Sequence, residues 1–385
     1  MNEQTDLFEN PESRFTLNER PGLPARVVAI GIGGIGCRCI HRMVEARIDG
    51  VELVAVDTDA SGLQSISAPL KLKIGKSITG HLSCNGNPEV GRKVALEETE
   101  LILDLINGFD MIFVIGGEGG GAFTGAAPIF AGLAAEIGII SVAMATMPFE
   151  LQGRTRMKCA EIGLRELKEA ADILITPPRE DIHRTLDENS LLDDAYAGAE
   201  QFFCRAVKDI SEILVKPGIL NVDLSEMRAL MRQNEATFIG TGLSTDSNRA
   251  KEAVLKALAN PFLEEIPIGE SNSALLHVVA ARQSLKLHEV SAAAQILKEH
   301  ANLENVIISA MYDPHMEDEI KVTVIASTSS QAGSEPMRCH VRIPEGSTNS
   351  AVLKLEAQKA DPPRCIIDWK ELDRPAYRRR NALSP

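Results

Sequence analysis

Two glycine clusters carry most of the chemistry this sequence could perform. Gly31-Ile32-Gly33-Gly34-Ile35-Gly36 follows an apolar run and fits G-x-G-x-x-G, a spacing that lets backbone N–H groups approach a pyrophosphate at a helix N-terminus. Asp57 stands 21 residues beyond Gly36, where a ribose-binding acid belongs. Taken alone, this loop points to an NAD-type site. The second cluster, Gly116-Gly117-Glu118-Gly119-Gly120-Gly121, has five glycines in six residues and runs into Thr124 and Gly125. A tight turn accounts for one or two glycines, not five. One pyrophosphate cradle serves a dinucleotide, whereas two at neighbouring strand ends suit a triphosphate, with several anionic groups met by backbone donors. Cys37, Cys39 and His41 are also close in sequence. Alternate spacing at a helix start splays such side chains, so packing is expected there and no metal site.

The elements that must position these loops follow from hydrophobic patterning. Strands are expected at Ala25–Ile30, Val51–Val56, Asp110–Ile115, Ile139–Ala145 and Ile173–Thr176. Helices are expected from about Cys37 to Arg47 and over Pro88–Gly108, Gly125–Ile137, Thr155–Ala171 and Ser190–Val215. Continuous apolar strands alternating with helices predict a parallel sheet covered on both faces. A smaller α/β unit follows from Met227. Its strands are Ala236–Ser244, Leu275–Ala281, Asn305–Met311 and Glu319–Ser327, the last two expected as an antiparallel pair, and its helices are Arg249–Ala259 and Leu287–His300.

The organisation expected along the chain is a disordered arm (1–22), a nucleotide-binding domain (23–189), a central helix with its following loop (190–226), a C-terminal α/β domain (227–328), a linker (329–365) and a terminal docking peptide (366–385). A net charge of -14 argues against a nucleic-acid partner, which needs a basic face. Aromatic residues at 4% argue against base-stacking platforms. Seven cysteines in a long chain imply no disulfide framework. The N-terminus has no signal-peptide core and no apolar run reaches the roughly 20 residues of a membrane span, so a cytoplasmic protein without direct membrane insertion is expected. Lys370–Pro385, with five basic and two acidic residues, is locally positive in an acidic protein.

The chain resembles the FtsZ family, the bacterial relatives of tubulin. The likeness rests on Gly31–Gly36, on Asn87-Pro88-Glu89-Val90-Gly91-Arg92, and on Gly119-Gly120-Gly121 with Thr124-Gly125-Ala126-Ala127-Pro128. It also rests on Pro217-Gly218 with Asn221-Val222-Asp223, on Asp318-Glu319 before Lys321–Ala326, and on the terminal Leu372–Arg380. The resemblance implies a tubulin/FtsZ-like α/β fold: a Rossmann-type parallel-sheet GTPase domain, a long central helix and a smaller C-terminal α/β domain. It implies GTP/GDP as ligand, with Mg2+ as candidate counter-ion, held by Gly33, Gly34, Gly36, Arg38, Asp57, Gly119, Gly120, Gly121, Thr124, Gly125, Gln152, Arg156, Tyr196 and Gln201.

Head-to-tail stacking would bring the acidic loop Asn221–Glu226 into the next subunit's pocket, at the division site in the cytoplasm. Asn221, Asp223 and Glu226 are then the candidate catalytic residues, polarising a water against the terminal phosphate. Asp223 and Glu226 also have the spacing of a helix capping box, and both roles can hold together. The implied partners are further copies of the chain, a second FtsZ, and membrane-anchor division proteins reached through Asp368–Pro385.

Departures from the family pattern cluster at the nucleotide site. Ala122 and Phe123 replace a hydroxyl residue and a glycine. Ile35 and Cys37 replace glycines, Arg38 replaces an Asn, and Gln152 replaces a Glu that faces the ribose. Glu200-Gln201 replaces the Asn-Asp pair that reads guanine, and Glu226 replaces an Asp. Two readings follow: a divergent FtsZ that hydrolyses GTP slowly in filaments, and a non-hydrolysing structural partner of a standard FtsZ.

Overall fold

The computed structural model describes residues 25–177, 192–231, 237–246, 248–258, 271–301, 303 and 305–328. The expected arm, linker and docking peptide lie outside these residues.

The first sheet contains β1 (Val27–Ile32), β2 (Val51–Asp57), β3 (Leu70–Lys73), β4 (Met111–Gly117), β5 (Ile140–Thr146) and β6 (Ile173–Ile175), all parallel, in the order β3-β2-β1-β4-β5-β6. β3 was not foreseen as a strand. Alternate residues of each strand feed two cores, because side chains in a strand point alternately to opposite faces. Val27, Ala29, Met111, Phe113 and Ile115 pack on one face, and Val28, Ile30, Ile32, Ile112 and Val114 on the other.

The helices of this region are α1 (Gly33–Glu45), α2 (Ala60–Ser65), α3 (Lys76–Thr79), α4 (Pro88–Glu97), α5 (Thr99–Ile106), α6 (Ala122–Glu136) and α7 (Arg154–Ala170). α1 begins inside its glycine cluster, at Gly33, and α6 directly after its own, four and three residues earlier than periodicity indicates. The single helix expected over Pro88–Gly108 is two. It breaks at Glu98 (φ -96, ψ 22), whose carboxylate accepts the Gly75 N–H at 3.2 Å.

α8 (Leu192–Val215) packs on the first core and leads through a turn to α9 (Leu224–Met231). The second sheet contains β7 (Thr237–Ser244), β8 (Ser271–Ala280), β9 (Asn305–Tyr312) and β10 (Ile320–Thr328), with α10 (Arg249–Leu258) and α11 (Leu287–Ala301) covering one face. Its order is β7-β10-β8-β9. The expected antiparallel pairing of the last two strands does not form. β10 inserts between β7 and β8, antiparallel to both, while β9 pairs parallel to β8 through the α11 crossover. Sequence adjacency suggested a hairpin, but β10, buried on both faces from Val322 to Ala326, takes a central place in the sheet.

The second face of this sheet meets α8 through a buried polar network. Lys321 Nζ reaches Asp209 at 2.5 Å and Glu212 at 3.3 Å, and the Thr241 hydroxyl donates to Asp209 at 2.7 Å.

Candidate nucleotide site

In a parallel sheet of order 3-2-1-4-5-6, the strand order reverses between the first and fourth strands, and ligands bind in the crevice beyond their C-terminal ends. β1 and β4 are neighbours in register, Ile32 opposite Gly116, so both glycine loops open on that crevice.

The glycines divide by role. Gly33 takes φ +71 and Gly119 φ +77, backbone conformations that a side chain disfavours. A Cβ on Gly34 would meet nothing within 4 Å, and one on Gly120 only Gly117 O and the Arg156 guanidinium at 3.7 and 4.0 Å. These four form a bare backbone cradle, and Arg156 at the start of α7 lies against Gly119. Gly36, Gly121 and Gly125 serve close packing instead. A Cβ there would overlap Ile115 O, the Cys84–Asn87 turn, and the backbone of Pro88 and Arg92 respectively. Thr124 is buried in the first turn of α6, beneath the cradle.

Phe123 does not enter the crevice. It is 2% exposed, and its ring fills the space over Gly116 within the second core. Helical backbone at position 123 needs no glycine, and the bulk goes inward.

The other expected residues lie between α1, α8 and the turn before α7. Gln152 Nε2 donates to the Tyr196 hydroxyl at 2.5 Å, and Phe149 meets the Tyr196 ring edge-on. Arg38 lies over the same ring, 5.4 Å from its centroid. Gln201 is exposed; α8 instead turns Glu200 inward, 1% exposed, onto Arg38 Nε at 2.8 Å and Arg42 Nε. Sequence reasoning placed Glu200 with Gln201 at the base-reading pair but missed Arg42 and the pairing of Glu200 with the two arginines. The i, i+4 spacing of Arg38 and Arg42 was the available signal. The Asp57 carboxylate caps its own turn, accepting the N–H groups of Thr58 and Asp59 at 2.7 and 3.3 Å. Burial raises its pKa against those bonds.

The acidic loop sits at the other end of the domain. Ala25 N, just before β1, donates to Leu214 O near the end of α8, and Arg228 of α9 donates to Gly138 O just before β5. Val222 and Met227 anchor the loop in the first core, leaving Asn221, Asp223 and Glu226 exposed. Asn221 Oδ1 accepts the Gly218 N–H at 2.6 Å. α8, 24 residues long and so about 36 Å, separates the cradle from these acids.

The cradle, the switch-point crevice and the second sheet joined by a long helix define a nucleotide-binding protein of the tubulin type. The family model "Tubulin/FtsZ family, GTPase domain" matches residues 26–187, and "FtsZ family, C-terminal domain" matches residues 236–329. The chain belongs to the FtsZ family. It is 36% identical to the cell division protein FtsZ of Pseudomonas putida over 92% of this chain and 89% of that one. It is 35% identical to that of Coxiella burnetii over 95% and 91%. Among solved structures, an empty FtsZ dimer of M. jannaschii superposes with a TM-score of 0.71 at 33% identity, covering 86% of this chain and 95% of that one. CetZ1 of Haloferax volcanii, at 19% identity and a TM-score of 0.68, shares the fold.

Proposed function

We propose that this chain binds GTP in the cradle of Gly33, Gly34, Gly119 and Gly120, with Arg156 beside the phosphates, and hydrolyses it only where a second copy supplies Asn221, Asp223 and Glu226. The observation carrying this reading is the placement of cradle and acids at opposite ends of α8. One copy cannot bring its own carboxylates to its own phosphates, whereas head-to-tail stacking can. The backbone N–H groups and the start of α6 would hold the phosphates, and GTP with Mg2+ would supply the reacting phosphoryl group and its counter-charge. The acids would orient a water for in-line attack. Turnover coupled to assembly fits a cytoplasmic filament former of the division ring; the relatives named above are cell division proteins.

The Arg38–Glu200–Arg42 cluster favours a second reading. A base-side carboxylate already held by two guanidinium groups is a poor partner for guanine, and a copy that binds nucleotide weakly could still copolymerise with a standard FtsZ. The segment Asp368–Pro385, with Trp369, Leu372, Pro375 and Tyr377 beside Arg378–Arg380, is proposed to dock on membrane-anchor division proteins.

The test is the nucleotide content of the purified protein and its phosphate release against protein concentration. Bound GDP or GTP, with specific activity rising as polymer forms, supports the first reading. Retained nucleotide without release, together with incorporation into filaments of a standard FtsZ, supports the second. Deleting residues 368–385 is expected to abolish anchor recruitment and spare filaments; unchanged recruitment counts against the docking proposal.

A further inference from the structure

Glu118 is the one side chain inside the second phosphate loop, between Gly117 and Gly119. Its N–H donates to Thr146 O at 2.8 Å, which fixes the loop to β5. The side chain turns away from the crevice into the seam between α6 and α7, where it is 1% exposed. Neither carboxyl oxygen makes a hydrogen bond of normal geometry, and neither does the adjacent Thr124 hydroxyl. Three of the unpartnered buried side-chain atoms among the described residues thus sit directly beneath the cradle.

An ionised carboxylate in such a place has only the Thr124 hydroxyl and the Gly119 N–H near it and no paired cation, and burial penalises it strongly. A protonated carboxyl can instead donate to the Thr124 hydroxyl, which satisfies atoms that ionisation leaves stranded. The seam offers the negative form little support. From α7, Gly163 supplies only space, since a Cβ there would overlap both Thr124 and Glu118. Glu166 adds like charge and is itself paired with Arg92 of α4. Cys159 is a thiol whose own ionisation is opposed by burial and by Glu118. Arg156, the nearby cation, lies against Gly119 with its guanidinium toward Gly120.

We infer that Glu118 is a positioning residue of the phosphate loop: protonated, it lets the loop accept nucleotide phosphates, and ionised, it weakens their binding by repulsion and by competing for the Gly119 N–H. The inference rests on the nucleotide-binding reading above. Burial, tempered by Thr124 and the Gly119 N–H and reinforced by Glu166, pushes the Glu118 carboxyl up to about 7. The neutral form therefore dominates below neutrality. Bound phosphates add negative charge above it and favour the proton further, so nucleotide affinity falls as pH rises through that range.

The test is equilibrium binding of a fluorescent GDP to the full chain from about pH 6 to about pH 8.5, for wild type, Glu118→Gln and Glu118→Met. Wild type is expected to weaken roughly tenfold more across that range than either variant, the effect of about one further unit of pKa on binding. The nucleotide-free wild type is also expected to lose thermal midpoint as pH rises from about 4.5 to about 7 and to level off above that, with a flatter profile in Glu118→Gln. Binding curves that run parallel in wild type and variants overturn the inference and leave the nucleotide reading standing. Thermal profiles identical in wild type and Glu118→Gln overturn it as well. Absence of GDP binding at every pH in all three proteins overturns the nucleotide reading and this inference with it.

Discussion

Asp223 and Glu226 hold each other across the first turn of α9. Asp223 Oδ1 accepts the Glu226 N–H at 2.7 Å, and Glu226 Oε2 accepts the Asp223 N–H at 3.1 Å. This reciprocal capping box keeps both carboxylates exposed and aimed along the helix start, with the Glu226 N–H holding the Asp223 carboxyl below its ordinary pKa. Asp223 is ionised at neutral pH.

Structural and chemical roles of that pair separate by substitution. Glu226→Gln keeps an acceptor for the Asp223 N–H and removes the charge, so its thermal midpoint is expected to stay near wild type. Asp223→Ala loses the cap and about 1 kcal/mol of stability. Both are expected to cut phosphate release at least tenfold at matched polymer mass. Wild-type turnover in Glu226→Gln would leave the pair with capping alone.

Phe123 and Gly34 make a contrasting pair. Truncating Phe123 to Ala empties part of the second core and is expected to cost about 3–5 kcal/mol in urea unfolding. Gly34→Ala puts its methyl into open crevice, so stability should change by less than about 1 kcal/mol while nucleotide affinity falls. Unfolding midpoints beside GDP affinity decide between these outcomes. A stabilised Phe123→Ala with tighter GDP binding would contradict the packing described.

Arg42 and Arg38 share one buried carboxylate. Arg42→Ala leaves Glu200 a single partner and is expected to destabilise by about 1–3 kcal/mol, the half-exposed guanidinium moderating the loss. Glu200→Ala frees both arginines and is expected to change competition between GTP and ATP for the site. Unaltered competition would remove this cluster from base selection.

The α8–sheet network sets a pH window. Burial opposes ionisation of Glu212, but Lys321 and Lys216 outweigh it and lower its pKa. Burial opposes the Lys321 charge too, yet Asp209 and Glu212 raise its pKa. The carboxylate contribution is present above the usual Glu value and lost as pH falls through its folded value. The lysine contribution is present below the usual Lys value and lost as pH rises through its folded value. Lys321→Met leaves buried Asp209 without a cation and Glu212 with Lys216 alone, and is expected to cost about 3–5 kcal/mol at neutral pH, the deficit shrinking in acid. A deficit independent of pH in urea titrations would argue against the pairing.

Most of the first domain could be read from residue order alone. Apolar runs, G-x-G-x-x-G, the second glycine cluster and Asp57 are local signals, and local backbone geometry obeys them: both loops stand between a buried strand and a helix, and Asp57 ends β2. The acid spacing of the capping box was equally legible, because a helix N-terminus is a contact between residues three apart. The errors arose where partners are distant in sequence. β10 between β7 and β8, the break at Glu98 drawn to Gly75, and Glu200 rather than Gln201 turned onto Arg38 all depend on which surfaces meet.

Gly33 and Gly34 show how the two levels combine. Their type and order specify a backbone that anions can approach, which is a property of residues lacking Cβ. Which glycines serve the crevice and which serve packing follows from neighbours that only folding supplies: Ile115 O against Gly36, Cys84 against Gly121, and Pro88 O against Gly125. The same holds for Phe123, a threat to the site in the sequence and a core side chain in the fold, because helical geometry sends it inward. Glu118 is the converse case. It reads as a spacer among glycines, and only the fold buries its carboxyl in the seam between α6 and α7, where burial raises its pKa.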